Sequence, residues 1–348
     1  MIDKPGLLLI NLGTPDAPHA GPVRRYLREF LGDGRVIDIN PVGRKALLEF
    51  VILPTRPAKS AEAYEKIWTP EGSPLLVHGR ALEAAVRKAL EGELEVELAM
   101  RYGNPSITAG LKALQSRGVT RVTVFPLYPQ YAASTTASSL DEVLRVMRES
   151  WDLMPLSVVP AFYDDPLYVD AFAEVAAPVL RESRADHVLF SYHGVPERQI
   201  QKSDPNGPGV HCLASATCCD SIGPVNHRCY RAQCFATTRA LVKRLGLSED
   251  GHSISFQSRL GRTPWIRPYT DEVLKGLAER GVKRLAVTVP SFVADCLETL
   301  EEIAMRGKED FVAAGGEDLI LVPSLNSHEH WVRCVVALAR RNTPPIAA

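Results

Sequence analysis

Arg117-Gly118-Val119-Thr120-Arg121-Val122-Thr123-Val124-Phe125-Pro126 is echoed late in the chain by Arg280-Gly281-Val282-Lys283-Arg284-Leu285-Ala286-Val287-Thr288-Val289-Pro290. In both copies a helical pattern leads into a short apolar run, which ends at a Pro and a polar, helix-starting loop. The echo constrains the chain to two similar α/β halves, each with a buried strand opening onto the same kind of site. The competing reading is chance likeness between generic strands. The amino terminus points the same way: Gly6 to Leu12 reads as a buried strand, Gly13-Thr14-Pro15 ends it, and Pro22 to Leu31 follows as a helix. The expected fold is therefore α/β, with two Rossmann-like, doubly wound parallel-sheet halves and the active site in the cleft between them. The halves are expected to meet near Pro160 to Pro166, giving an N-terminal half over 1–160 and a C-terminal half over 161–348.

The 348 residues are enough for two cores. Forty basic residues against 41 acidic ones leave a formal charge of -1, so no basic field exists to gather nucleic acid. The apolar run Leu7 to Ile10 is too short for a signal peptide or a spanning helix, and the expected location is cytoplasmic. Seven cysteines are present, and Cys212, Cys218, Cys219, Cys229 and Cys234 crowd into a polar, Gly- and Pro-rich loop over 203–234. That crowding favours a local metal site over a disulfide framework.

Val188 to Phe190 reads as a strand ended by Gly194 and Pro196, which sets His193 at a carboxyl end, where open α/β sheets bind ligands. A lone His is more often structural, but the whole stretch His187 to Arg198 resembles the signature of ferrochelatases, which insert ferrous iron into a porphyrin and keep a catalytic His in a Ser-Tyr-His-Gly-type turn. Leu8-Leu9-Ile10-Asn11-Leu12-Gly13-Thr14-Pro15 resembles the amino terminus of that family, and Gln257 to Thr270 resembles another of its motifs. The resemblance runs from Leu8 to about Asn326 and implies a chelatase-like fold.

Its functional implications are specific. His193 and Glu298 are the implied catalytic residues and the ones that meet the Fe²⁺ substrate, and Asp295 and Glu302 line an implied proton or metal path. Leu12, Arg101, Tyr102, Trp265 and Phe292 are the implied porphyrin contacts. A coproporphyrin-using branch commonly has Tyr where this chain has Leu12, which leans the substrate towards protoporphyrin IX; coproporphyrin or another tetrapyrrole is the alternative. A haem-binding or iron-sensing protein without turnover is the rival from another class.

The residues fit the chemistry. Metallation removes two pyrrole N–H protons and strips water from Fe²⁺, which needs a base near neutrality and oxygen or imidazole donors. If a helix begins near Asp295, then Asp295, Glu298 and Glu302 share one face at i, i+3 and i+7. Trp265, with Arg259, Arg262 and Arg267, offers a face and counter-charges to an anionic macrocycle. The hydroxyls of Ser134, Thr135 and Thr136 are expected to cap a helix from Ala137. Leu47, Leu48, Phe50 and Val51 cluster between cationic flanks, as at a peripheral membrane contact, although a helix packed on the core has the same pattern. Thiolates in the loop suit a [2Fe-2S] cluster, which some members of the family hold on an internal cysteine-rich segment, or zinc; which four of the five cysteines ligate stays open.

Overall fold

The computed structural model describes residues 4–261 and 263–343, so Arg262 lies outside the described residues. Eight strands are β1 (Pro5–Thr14), β2 (Glu95–Gly103), β3 (Arg121–Pro126), β4 (Leu156–Val158), β5 (His187–His193), β6 (His252–Gln257), β7 (Arg284–Thr288) and β8 (Asp318–Leu321). They form two parallel four-stranded sheets, in the orders β2-β1-β3-β4 and β6-β5-β7-β8. The echoed segments are β3 and β7, each third in its sheet.

Residues up to 128, with 133–160 and the final helix from 332, make one compact unit; residues 129–132 and 161–331 make the other. In the first, Leu7, Leu8, Leu9 and Ile10 are fully buried, as a central parallel strand covered on both faces requires. Leu8, Val122 and Val124 pack there with Leu111, Leu114 and Val143 from the flanking helices. In the second, Leu189, Leu285 and Val287 pack with Leu274, Ile303 and Phe311. The alternating strand β2 lies at its sheet's edge, where Arg117 pairs with Glu97 at 2.6 Å.

Two glycines end the first strand of each unit for a steric reason. Gly13 has φ +119°, and a Cβ there would stand 1.8 Å from the Tyr102 carbonyl oxygen; at Gly194 a Cβ would stand 2.8 Å from that of Gln257.

Three local expectations are corrected. The acidic row does not lie on one regular helix: Asp295 precedes the helical turn Leu297–Thr299, and a π-helical segment Leu300–Gly307 follows. The wider π turn breaks the 3.6-residue spacing that would have aligned Asp295, Glu298 and Glu302. The helix does not start at Ala137: Ala133–Ala137 is a π-helical turn running directly into the helix Ser138–Arg148, whose N-cap position is Ala137 itself, without a side-chain cap. The apolar cluster divides: Leu48 is 4% exposed, whereas Phe50 is 81% and Val51 57% exposed, on a π-helical turn Leu48–Ile52 between the helices Pro41–Leu47 and Leu53–Ile67.

Candidate active site

The second unit by itself holds His193, Glu298, Trp265 and Phe292. Strand β5 delivers His193 at its last position. The His193 Nδ1 lies 2.6 Å from the Gly194 carbonyl oxygen, a partner that can only accept, so Nδ1 carries a proton and, in the neutral ring, Nε2 is the nitrogen with the lone pair. Its backbone is held on both sides: the N–H donates to Ser291 Oγ at 3.3 Å, and the carbonyl accepts from the Tyr230 hydroxyl at 2.9 Å. The Trp265 and Phe292 rings flank the imidazole at 6.4 and 6.3 Å between centroids.

Gln257, which the sequence did not single out, links the two catalytic candidates. Gly194 N–H donates to the Gln257 carbonyl at 2.8 Å, and Gln257 Nε2 donates to the Glu298 carbonyl at 2.9 Å. Its own Oε1 accepts from Ser191 Oγ, which also contacts Thr270, which in turn donates to Ser255. Such a satisfied buried network fixes the strand ends beneath the site. Cys296 was also missed: its thiol hydrogen-bonds the Glu298 carboxylate, and burial together with that neighbouring charge pushes the thiol well above its ordinary range.

The other acidic candidates are occupied. Asp295 accepts from Asn326 Nδ2 at 2.8 Å, from Ser324 N–H at 3.2 Å and from Thr299 Oγ1 at 3.2 Å. Glu302 accepts from the Ser258 N–H at 2.9 Å and hydroxyl at 2.6 Å. Both therefore brace the loops around Glu298.

The Trp265 loop is sewn to the segment after His193. Glu197 N–H donates to the Pro264 carbonyl and Ile266 N–H to that of Val195, both at 3.0 Å. Trp265 Nε1 donates to the Leu260 carbonyl at 2.9 Å. Arg259 pairs with Asp271 at 2.6 Å, and the guanidinium groups of Arg259 and Arg267 lie 4.3 and 4.5 Å from the Tyr269 ring centroid. A hollow of about 390 Å³ on this loop is lined by Arg259, Trp265, Arg267 and Tyr269.

Three candidates belong to the first unit. Leu12 follows Asn11, whose Oδ1 accepts its N–H at 2.8 Å. Arg101 pairs with Asp33 at 2.7 Å, and Asp33 also accepts from the Tyr102 and Ser138 hydroxyls at 2.9 and 2.5 Å. Burial works to raise the Asp33 carboxyl, but the Ser138, Arg35 N–H and Tyr102 hydrogen bonds and the Arg101 charge outweigh it, holding the group below its usual range. Tyr102 is fully buried, beneath Phe30 and the Arg101 guanidinium, and so supports Asp33 rather than presenting a ring face.

Of the five loop cysteines, four adjoin one another. Cys218 and Cys219 have their Sγ atoms 3.7 Å apart, and Cys229 hydrogen-bonds both Cys212 and Cys219. Cys234 instead hydrogen-bonds Tyr230. Burial pushes the Cys212 and Cys218 thiols up; for Cys219 the Cys229 contact is the larger cause and burial the second, with Arg231 opposing both. Asp204 accepts from the N–H groups of His211 and Cys212, and Asn226 bonds three backbone groups, so the loop has a polar scaffold. Among the described residues, no three His, Cys, Asp or Glu side chains are already arranged to hold a metal ion.

The two parallel four-stranded sheets with flanking helices have the fold of solved chelatases. SirB from Bacillus subtilis with Fe³⁺ superposes with a TM-score of 0.55, covering 97% of this chain and 95% of its own at 14% identity. The sirohydrochlorin chelatase SirB from B. subtilis subspecies spizizenii, in complex with cobalt, gives 0.50 over 97% and 94% at 12% identity. The ferrochelatase family model matches residues 4–343. The ferrochelatase of Azotobacter vinelandii is 52% identical, over 96% of this chain and 98% of its own length, and that of Coxiella burnetii strain Dugway 5J108-111 is 46% identical over 98% and 94%. The chain belongs to the ferrochelatase family, lyases that insert iron into a porphyrin in haem synthesis.

Proposed function

We propose that this chain inserts Fe²⁺ into protoporphyrin IX, with His193 as the base that takes the pyrrole protons and Glu298 as the carboxylate that receives charge opposite it. The observation that carries the reading is the His193 ring: Nδ1 is held by the Gly194 carbonyl, so in the neutral ring Nε2 is the basic nitrogen, and the Trp265 and Phe292 rings lie near the imidazole. A planar porphyrin hides its lone pairs from an approaching ion. Walls that favour a puckered ring therefore bind the transition state better than the ground state. The hydrogen bond from Cys296 orients the Glu298 carboxylate.

The loop residues proposed to hold a [2Fe-2S] cluster are Cys212, Cys218, Cys219 and Cys229. Their fit rests on buried thiols in mutual contact, an Arg231 guanidinium on Cys219 Sγ, and the Leu213 N–H on Cys218. Ligation would draw a chain of contacts into a closed set and deprotonate thiols that burial otherwise keeps protonated. Such a cluster supplies a one-electron redox centre and a covalent brace for the loop. Phe50 and Val51, exposed beside Lys45 and Lys59, are proposed as a peripheral contact with an anionic membrane surface; among the described residues, no helix is long and apolar enough to cross one.

The test is turnover under anaerobic conditions, with Fe²⁺ or Zn²⁺ and either protoporphyrin or coproporphyrin. Catalytic loss of the free-porphyrin bands, faster with protoporphyrin, is expected. Conversion that stops at one equivalent would identify a binder, and a preference for coproporphyrin would move the substrate.

A further inference from the structure

The first turn of the helix Tyr230–Leu245 touches three things at once. Cys229 is its N-cap. Tyr230 donates its hydroxyl to the His193 carbonyl at 2.9 Å. Arg231 donates Nη1 to Cys219 Sγ at 3.1 Å and Nε to the Arg267 carbonyl at 3.4 Å, while its guanidinium lies 4.6 Å from the Phe235 ring centroid.

We infer that Arg231 is a positioning residue that fastens the Trp265 loop to the cysteine loop, so that the state of Cys219 sets how firmly the aromatic wall beside His193 is held. The inference rests on the reading that Trp265 faces the porphyrin. A guanidinium suits the task because its planar fork donates in two directions at once, and stacking on Phe235 fixes its plane. The Trp265 loop is otherwise held by backbone contacts to residues 195–197, by the Phe256 N–H on the Pro268 carbonyl, by Ser258 on Glu302 and by its own Tyr269, with Arg259 and Arg267 directed at Tyr269 and the acidic first turn of the next helix. The Arg231 hydrogen bond to the Arg267 carbonyl joins that loop to the cysteine-bearing segment. Tyr230 supplies the parallel link to His193. The arrangement requires a sulfur at Cys219 that accepts, whichever metal the loop holds.

The test compares the native chain with Arg231→Gln, Arg231→Lys, Cys219→Ser and the Arg231→Gln/Cys219→Ser double variant. The readouts are the Kd for metal-free porphyrin by fluorescence, KM and kcat for insertion, bound metal, and Tm. Arg231→Gln is expected to raise the porphyrin Kd and KM about fivefold while kcat stays within about twofold, because a loosened wall costs binding rather than chemistry. Arg231→Lys keeps the charge on Cys219 but not the fork, so it should retain bound metal and show most of the same loss. The double variant should be no worse than its worse parent, the mark of two groups acting through one contact. Unchanged Kd and KM in Arg231→Gln, or additive losses in the double variant, would overturn the inference, as would equal falls in kcat and Tm without a KM change. If the native chain binds porphyrin but does not turn it over, the functional reading fails while the Kd comparison still decides the role of Arg231.

Discussion

Met100 in the first unit and Phe256 in the second occupy the same place. Each lies in the strand beside the first strand of its sheet, and each donates its backbone N–H to a proline carbonyl, Pro105 at 2.6 Å and Pro268 at 2.8 Å. In the first unit the path to that proline is short, through Gly103 and Asn104; in the second it runs through Arg259, Gly261 and Trp265. The neighbouring strand shows the same correspondence. Asn11 faces Met100 and Tyr192 faces Phe256, which makes Leu12 the counterpart of His193 and Gly13 that of Gly194. Between the first strand and the helix before the second, one unit carries the apolar helices that expose Phe50 and Val51, and the other carries the cysteine loop. A common frame thus supplies equivalent strand ends, and the insertions make the units differ, because loops at those ends vary without disturbing the sheet.

The sharpest break between the units should be catalytic. His193→Ala is expected to lower metal insertion by about 10²- to 10⁴-fold, the usual worth of a positioned base, with porphyrin binding retained. Glu298→Ala should fall in the same range. Leu12→Ala, at the counterpart position, should change the porphyrin KM with little effect on kcat. Comparable kcat losses at Leu12 and His193 would dissolve the asymmetry.

The two insertions should separate next. Cys212→Ser or Cys229→Ser should bleach anaerobically purified protein and expose residues 203–229 to protease, since a loop built of short polar turns relies on its ligands. Cys234→Ser and Cys334→Ser should keep the colour, and so should Cys296→Ser, whose thiol serves Glu298 instead. Colourless native protein with stoichiometric zinc would replace the cluster by a structural metal. In the apolar insertion, Leu48→Ala should cost about 2–4 kcal/mol in denaturant titration, as a buried Leu does. Phe50→Ser and Val51→Ser should stay within about 0.5 kcal/mol while weakening sedimentation with anionic vesicles. Equal stability losses would return all three to the core.

A pH-dependent effect should come from Asp33 of the first unit, held by Arg101, Tyr102 and Ser138. Its carboxyl titrates below the unfolded value of about 3.9, so its contribution is present above that pH and is lost as pH falls through the folded value. Asp33→Asn should therefore lower stability at pH 7 by about 1–2 kcal/mol, a difference that shrinks as the pH falls below the ordinary carboxylate range. A difference that persisted at low pH would mean that shape, not charge, is what Asn fails to replace.

The strands and the echo were legible because buried parallel strands are written as unbroken apolar runs, and His193 because a Gly and a Pro close such a run. The acidic row was misread for a physical reason: a π-helical segment leaves no periodic mark that overrides a plausible α pattern. Tyr102 reads as an aromatic at a strand end, and the sequence carries no sign that Phe30, Arg101 and Asp33 enclose it. Leu48, Phe50 and Val51 look alike in one dimension, although a single helical turn separates a core side chain from two exposed ones.

Apolar runs, their glycine and proline stops and the repetition of one strand segment were enough by themselves to determine two parallel α/β halves, a histidine at a strand end and a thiol-rich loop, since each is set by neighbours in the chain. The tertiary structure decided which distant groups share a hydrogen bond: Gln257 joining Gly194 to Glu298, Cys296 on the Glu298 carboxylate, Cys234 on Tyr230, and Arg231 reaching both Cys219 and Arg267. A hydrogen bond depends on direction within a few tenths of an ångström, and that precision arises only when helices and loops far apart in sequence have packed.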